Sequence, residues 1–422
     1  MKQTNDRYVP GILLRLERIR QGKGQKEVCA NLCVPSYLSK IEHGTASADP
    51  QLIMRLFERL SIRCETDENK LKEAEQLAEA YYHALSMYAP EITEIYRRFR
   101  ALGEGIAYSA FAIDWLVIEG MQALLDGNSE RAEAIAERLS ALEKHMSRRQ
   151  KGYYCCLKAA GIPFRKADEN TREQQERTEK IIACYREACL CLDNAFAYVW
   201  LCIAYYKSGN FTAVHEMESR VTTVALDEGN VFYLARYYII KGGAYASLDL
   251  EEMMMACYTR AEQLLKYTVW KDKLNIVYYN IGATLTALRQ YDKAMQYLKR
   301  VPEAAYENRF ELLHKKALIY LRTGRIEQGK ACLKEAKVCL DKNPQAKLSD
   351  RLRYEEALWE AEKDFLDRPE YLELMQRLME ALKAEKDFGF RYFYREEMVE
   401  ACKRQRQYKL ALTYQRELSK NF

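Results

Sequence analysis

Histidine, tryptophan and proline are scarce in these 422 residues, at 5, 4 and 8 copies, and glycine stands at 18. So few turn formers exclude a sandwich or barrel built on many tight turns, while long stretches rich in Glu, Lys, Arg, Ala and Leu favour helix. The five histidines are dispersed and the 13 cysteines show no metal-ligand spacing. Thiols such as Cys155, Cys156, Cys184, Cys189 and Cys191 read as small apolar helix residues in a reducing compartment. Cys29 and Cys33, four apart on an expected helix, read as core-facing. No uncharged apolar run spans a bilayer: the most membrane-like, "YSAFAIDWLVIEGMQALL", carries Asp114 and Glu119 and reads as a buried helix. The opening "MKQTNDRYVP" lacks the apolar segment of a secretory signal, so the expected location is cytoplasmic. Catalytic signatures are missing too. "VHEMESR" lacks the second His of a zinc protease, "ALGEGIAY" is not a dinucleotide loop, and no phosphate loop or nucleophile elbow occurs. The chain is expected not to be an enzyme, and no cofactor or metal is implied.

Most of the chain also lacks a charge excess. Up to residue 63 there are 11 basic and 6 acidic side chains; beyond it 55 of each cancel. The whole net charge of +5 therefore sits on the first 63 residues, as expected where a segment meets a polyanion. The apolar period there predicts short helices. Leu13, Leu16 and Ile19 mark the first, ended by Gly22 and Gly24, and Gln25 to Leu32 the second, with Val28, Cys29 and Leu32 inward. Ser36 is the expected N-cap of a third from Tyr37 to Glu42, held by Leu38 and Ile41 and stopped by Gly44. Pro50 opens a last helix carrying Leu52, Ile53, Leu56, Phe57 and Leu60.

After a polar link, "RCETDENK", helix pairs follow, and internal repeats are the first thing to test. "YYKSGNFTAV", "TALRQYDKAM", "YLRTGRIEQG" and "CKRQRQYKLA" share one pattern: an apolar helix, a short polar turn, an apolar residue, then a small one three positions on, at Val214, Ala294, Gly329 and Ala411. The turn residues are Phe211, Tyr291, Ile326 and Tyr408. "YASLDLEEMM" and "LWEAEKDFLDRPEYLELM" fill the wider gaps, and "MQALLDGNSERAEAI" has the same form upstream.

"GQKEVCANLCVPSYLSKIEHG" resembles the helix-turn-helix of the xenobiotic-response-element (XRE) class, over roughly residues 11 to 62. It departs from many members in having Asn31, Leu32 and Cys33 where a Gly separates helices two and three. The resemblance implies a third helix in the DNA major groove, with Gln25, Ser36, Tyr37 and Lys40 at bases or groove wall and Lys26, Ser39 and His43 at phosphates. The later pattern resembles the tetratricopeptide repeat, best in "NIGATLTALRQYDKAMQYLKRV", where Gly282, Leu285, Tyr291 and Ala294 hold the motif positions. Seven or eight degenerate pairs would form a right-handed α-solenoid whose first helices line a groove. The expected fold is thus all-α, with a helix-turn-helix domain over 1–65 and a tetratricopeptide-like peptide-binding and dimerisation domain over 66–422.

Together the two resemble the RRNPP family of Gram-positive peptide-pheromone receptors. That resemblance implies a transcriptional regulator, usually a homodimer, which binds a double-stranded DNA operator and is switched by a short signalling peptide. Within the groove the register offers Tyr279, Asn280 and Ala283, with Trp200, Ile203 and Lys207, Tyr238, and His314, Lys315 and Arg322 from neighbouring repeats. An Asn there can answer a peptide N–H and C=O together. The competing expectation is a repeat scaffold that sequesters a protein such as a response regulator, with the helix-turn-helix as an interaction module.

Overall fold

The computed structural model describes residues 9–162, 171–248, 250–303, 306, 308–344, 346–385 and 387–419. Those residues are helix, turn and loop, without a strand. By compactness the chain forms two units, Met1–Ala204 and Tyr205–Phe422.

The first unit starts with α1 (Val9–Arg20), α2 (Gln25–Cys29), α3 (Pro35–Glu42) and α4 (Pro50–Arg59). Their core is Leu13, Leu14, Val28, Cys29, Leu38, Ile41, Leu56, Phe57 and Leu60, all buried. Several expectations need correcting: the second helix ends at Cys29, which leaves Leu32 and Cys33 half-buried in the turn that follows. Ile19 is 55% exposed, and the buried face of α1 runs through Leu14 and Glu17 instead. Ser36 does not cap α3: Val34 is the N-cap and Pro35 the first helical residue, where a missing N–H costs nothing. The turn before α3 works without glycine because Asn31 takes the left-handed conformation, at φ 59°, that asparagine tolerates better than most residues. α1 and α3 approach so closely that a Cβ on Gly11 would fall 2.1 Å from the Ile41 carbonyl oxygen.

This bundle rests on the helices that follow. Phe57 packs on Tyr108, with ring centroids 5.6 Å apart, and Glu17 pairs with Arg138 at 3.2 Å. Ala112–Leu125 is a buried central helix, as its sequence predicts. Its Asp114 accepts hydrogen bonds from Tyr82 (2.7 Å) and Gln150 (2.8 Å), and Glu119 accepts one from Tyr96 (2.9 Å) and pairs with Arg100 and Arg131. Among the described residues, no helix is long and apolar enough to cross a membrane.

In the second unit the repeat pattern has a common backbone cause. Phe211, Tyr291, Ile326 and Tyr408 each begin a helix. Two residues earlier the chain turns left-handed, at Gly209, Arg289, Gly324 and Arg406. The next N–H then reaches back across the turn, as from Gln290 to the Leu285 carbonyl (2.9 Å) and from Gln407 to that of Cys402 (2.7 Å). This satisfies carbonyls that a helix end would otherwise leave unpaired. Gly282 explains why the best copy is best: a Cβ there would meet Leu298 at 2.6 Å, so glycine lets the paired helices close.

Candidate functional site

On the N-terminal bundle, Lys26, Ser36, Lys40 and His43 are exposed, while Gln25, Tyr37 and Ser39 are half-buried. The difference follows from internal hydrogen bonds. Glu42 is buried and binds Arg18 through both carboxylate oxygens, at 2.6 and 2.9 Å. Its Oε2 also accepts from Gln25 Nε2 at 2.8 Å, so Gln25 ties α2 to the end of α3. Tyr37 donates its hydroxyl to the Ser47 carbonyl (2.9 Å) and braces the loop after α3, and His43 Nδ1 donates to the Ser39 carbonyl (2.7 Å). Ser36 and Lys40, one helical turn apart on α3, Lys26 on α2 and His43 just after α3 are the expected contact residues that stand in solvent.

The second unit holds a cavity of about 330 Å³. Its wall comes from the first helices of three successive pairs, here α5 (Val231–Ser247), α6 (Leu274–Ala287) and α7 (Arg309–Arg322), and a fourth side comes from Asp387 and α8 (Phe388–Phe393). α8 packs directly against α5. Of the groove residues expected from sequence, Tyr279, Asn280 and Lys315 line this cavity, with Ala283 beside them. The Asn280 side chain hydrogen-bonds the Tyr258 hydroxyl.

The other six lie elsewhere, Ile203 in the first unit. α5 presents Ile239, Ile240 and Gly243 to the cavity, and Tyr238 instead packs on Tyr237 at 5.7 Å. Trp200 belongs to the first unit, stacked 6.2 Å from Tyr185, and Lys207 is exposed near the end of Ala195–Ser208. His314 is buried, its Nε2 3.0 Å from the Arg353 carbonyl and 3.3 Å from the Tyr394 hydroxyl. Arg322 joins Glu360 (2.5 Å) and Glu397 (3.0 Å) in a buried ion cluster.

Residues that local patterns did not point to complete the site: Tyr206, Tyr258, Glu311, Asp387, Phe390 and Phe393. The dense aromatic run "DFGFRYFY", 387–394, was the available signal. Lys315 Nζ lies 3.0 Å from the Phe393 ring centroid, and the Arg353 guanidinium 3.7 Å from that of Phe390. Desolvation, then Arg353 and Arg322, holds the Lys315 pKa well below that of a free lysine. Desolvation, with Lys315 and Arg353, likewise keeps His314 neutral. Burial, reinforced by Glu360, pushes Glu356 up to about 8.

No protein-family model and no curated protein sequence matches the chain. Solved structures do match it in fold. The apo form of the quorum sensor NprR from B. thuringiensis aligns with a TM-score of 0.59 at 13% identity, over 83% of this chain and 99% of that one. A Rap protein complexed with Competence and Sporulation Factor gives 0.58 at 12%, over 83% and 97%. NprR in complex with its cognate peptide NprX gives 0.55 at 13%, over 83% and 99%. At such identities the likeness is one of architecture: the chain has the all-α, tetratricopeptide-like fold seen in the NprR and Rap quorum-sensing proteins.

Proposed function

We propose that this chain is a peptide-responsive transcriptional regulator of the RRNPP type. Residues 1–65 bind a double-stranded DNA operator, and residues 66–422 bind a short signalling peptide and form a homodimer. It acts by binding equilibria in the cytoplasm rather than by catalysis. One observation carries the reading: a bundle of four short helices, in the segment that holds all the net charge, shares a chain with a repeat unit whose cavity is lined by Tyr279, Asn280 and Lys315. The architecture shared with a quorum sensor solved with its cognate peptide supports it. On α3, Ser36 and Lys40 reach bases or groove wall; Lys26, Ser39 and His43 hold phosphates; Gln25 and Tyr37 fix the helix that carries the readers. The peptide must bind two states of the protein unequally, since only that difference shifts DNA affinity.

The internal bonds of Gln25 and Tyr37 favour a second reading, in which the bundle is a protein-interaction module and the repeats sequester a partner. Selection of bound duplexes from random DNA separates the two. The regulator reading expects sequence-selective binding that falls by orders of magnitude between about 50 and 200 mM salt. Lys40→Ala should weaken it, and Lys26→Ala should lower the salt slope by about 1. Absence of selective, salt-sensitive binding would leave the scaffold.

A further inference from the structure

Lys315 is fully buried, yet its Nζ has no hydrogen-bond partner. What surrounds it are ring faces: Phe393 at 3.0 Å, Phe390 at 4.8 Å and Tyr394 at 5.5 Å. Ring quadrupoles offset part of the cost of burying an ammonium but accept none of its three donors in the way an oxygen does. The Tyr279 hydroxyl is a second buried polar group without a partner, and both residues line the same cavity. Behind Phe390, Arg353 also has Nε and Nη1 unpaired.

Such a concentration of orphaned donors is rare in folded proteins, where the great majority of buried polar groups are bonded, and it marks a place for an acceptor. The local field has the right sign. Arg353 and Arg322 act on Lys315 more strongly than Glu356 and Glu311, so its position favours an anion. The two acids on the cavity wall are already engaged: Glu311 lies 3.6 Å from Arg353 Nη2, and Asp387 caps α8 by accepting from the Phe390 N–H at 3.1 Å. A volume of about 330 Å³ is at the lower end for ligand pockets, roughly 300 to 1,000 Å³, and suits one side chain or chain end rather than a whole peptide.

We infer that this cavity anchors one carboxylate of the peptide ligand, from an acidic side chain or the free C-terminus, with Lys315 as its ion partner and the Tyr279 hydroxyl as a donor. The inference rests on the peptide-responsive reading and narrows it to a class of ligand. Asn280, at the cavity wall, is placed to bind the adjoining backbone, and Phe390 and Phe393 exclude water from the pair.

The test uses the full chain and four hexapeptide pools built from uncharged residues. One has a free C-terminus, one is amidated, one is amidated with a single Asp, and one is amidated with Asn in its place. Calorimetry should show one carboxylate pool, whose identity gives the source of the group, binding at least tenfold tighter than its amide counterpart. Lys315→Met should erase that preference, and Tyr279→Phe, which removes only a hydroxyl, should reduce it severalfold. Pools that bind without acid preference, or a preference that survives in both variants, would overturn the carboxylate inference alone. If no pool binds, the peptide reading fails and this inference with it.

Discussion

The two units differ in how fully their buried charges are paired, although the second also holds paired ones, Lys241 with Glu218 and Arg322 with Glu360 and Glu397. In the first, the buried carboxylates Glu17, Glu42, Asp114 and Glu119 are all paired, with Arg20 and Arg138, Arg18 and Gln25, Tyr82 and Gln150, and Arg100, Arg131 and Tyr96. In the second, Lys315, Arg353, His314 and Glu356 are buried with polar atoms left over. A satisfied buried ion holds elements in register. An unsatisfied one is destabilising by itself and is better explained by an acceptor that arrives later. On the proposed reading, the contrast separates buried charges that hold the scaffold from Lys315, which is left for a ligand.

Substitutions can break that contrast. The largest effect is expected in the first unit, where Glu42→Ala strands the Arg18 guanidinium and releases Gln25. Urea unfolding should register a loss of about 3 kcal/mol, toward the lower end for breaking a buried pair because Arg18 keeps some solvent contact. A loss near zero would mean that Glu42 does not hold the bundle. In the second unit the sign should reverse. Lys315→Met replaces an orphaned amine by a thioether of similar length and should leave stability unchanged or raise it by about 1 kcal/mol; a strong loss would show that Lys315 is structural.

Glu356 sharpens the comparison through pH. Its folded-state pKa of about 8 lies above the usual 4.5, so the folded form binds the proton more tightly and the stabilisation is full below about pH 4.5. It is lost progressively as pH rises to about 8. Glu356→Gln should therefore flatten the decline of unfolding free energy between pH 5 and 8, and an unaltered slope would assign it to other groups. The smallest effect belongs to the repeat turns: Arg406→Gly, at φ 58°, should stabilise the fold by at most about 1 kcal/mol, read as a small rise in melting temperature, because glycine adopts that conformation without steric cost.

How far the sequence could be read depends on the range of each contact. Local rules placed the helices of the bundle and the first residues of four repeat helices, because caps, turns and apolar period act over a few residues. They missed by one position where two faces competed. Ile19 was expected inside, but α1 turns Leu14 and Glu17 inward; Tyr238 was expected at the groove, but Ile239 and Ile240 face it. Tyr279, Asn280 and Lys315 were legible because a repeat register transfers from helix to helix. The side supplied by Phe390 and Phe393 was not, since it joins segments about 150 residues apart and no local period records that meeting.

The most direct measurement is the affinity of the full chain for its selected duplex, with and without saturating amounts of the tightest-binding hexapeptide pool. The account predicts a change of roughly 5- to 150-fold, the usual range of allosteric coupling. It further predicts that Lys315→Met weakens the peptide without altering DNA affinity in its absence. Equal affinity for DNA under both conditions, with the peptide demonstrably bound, would contradict it.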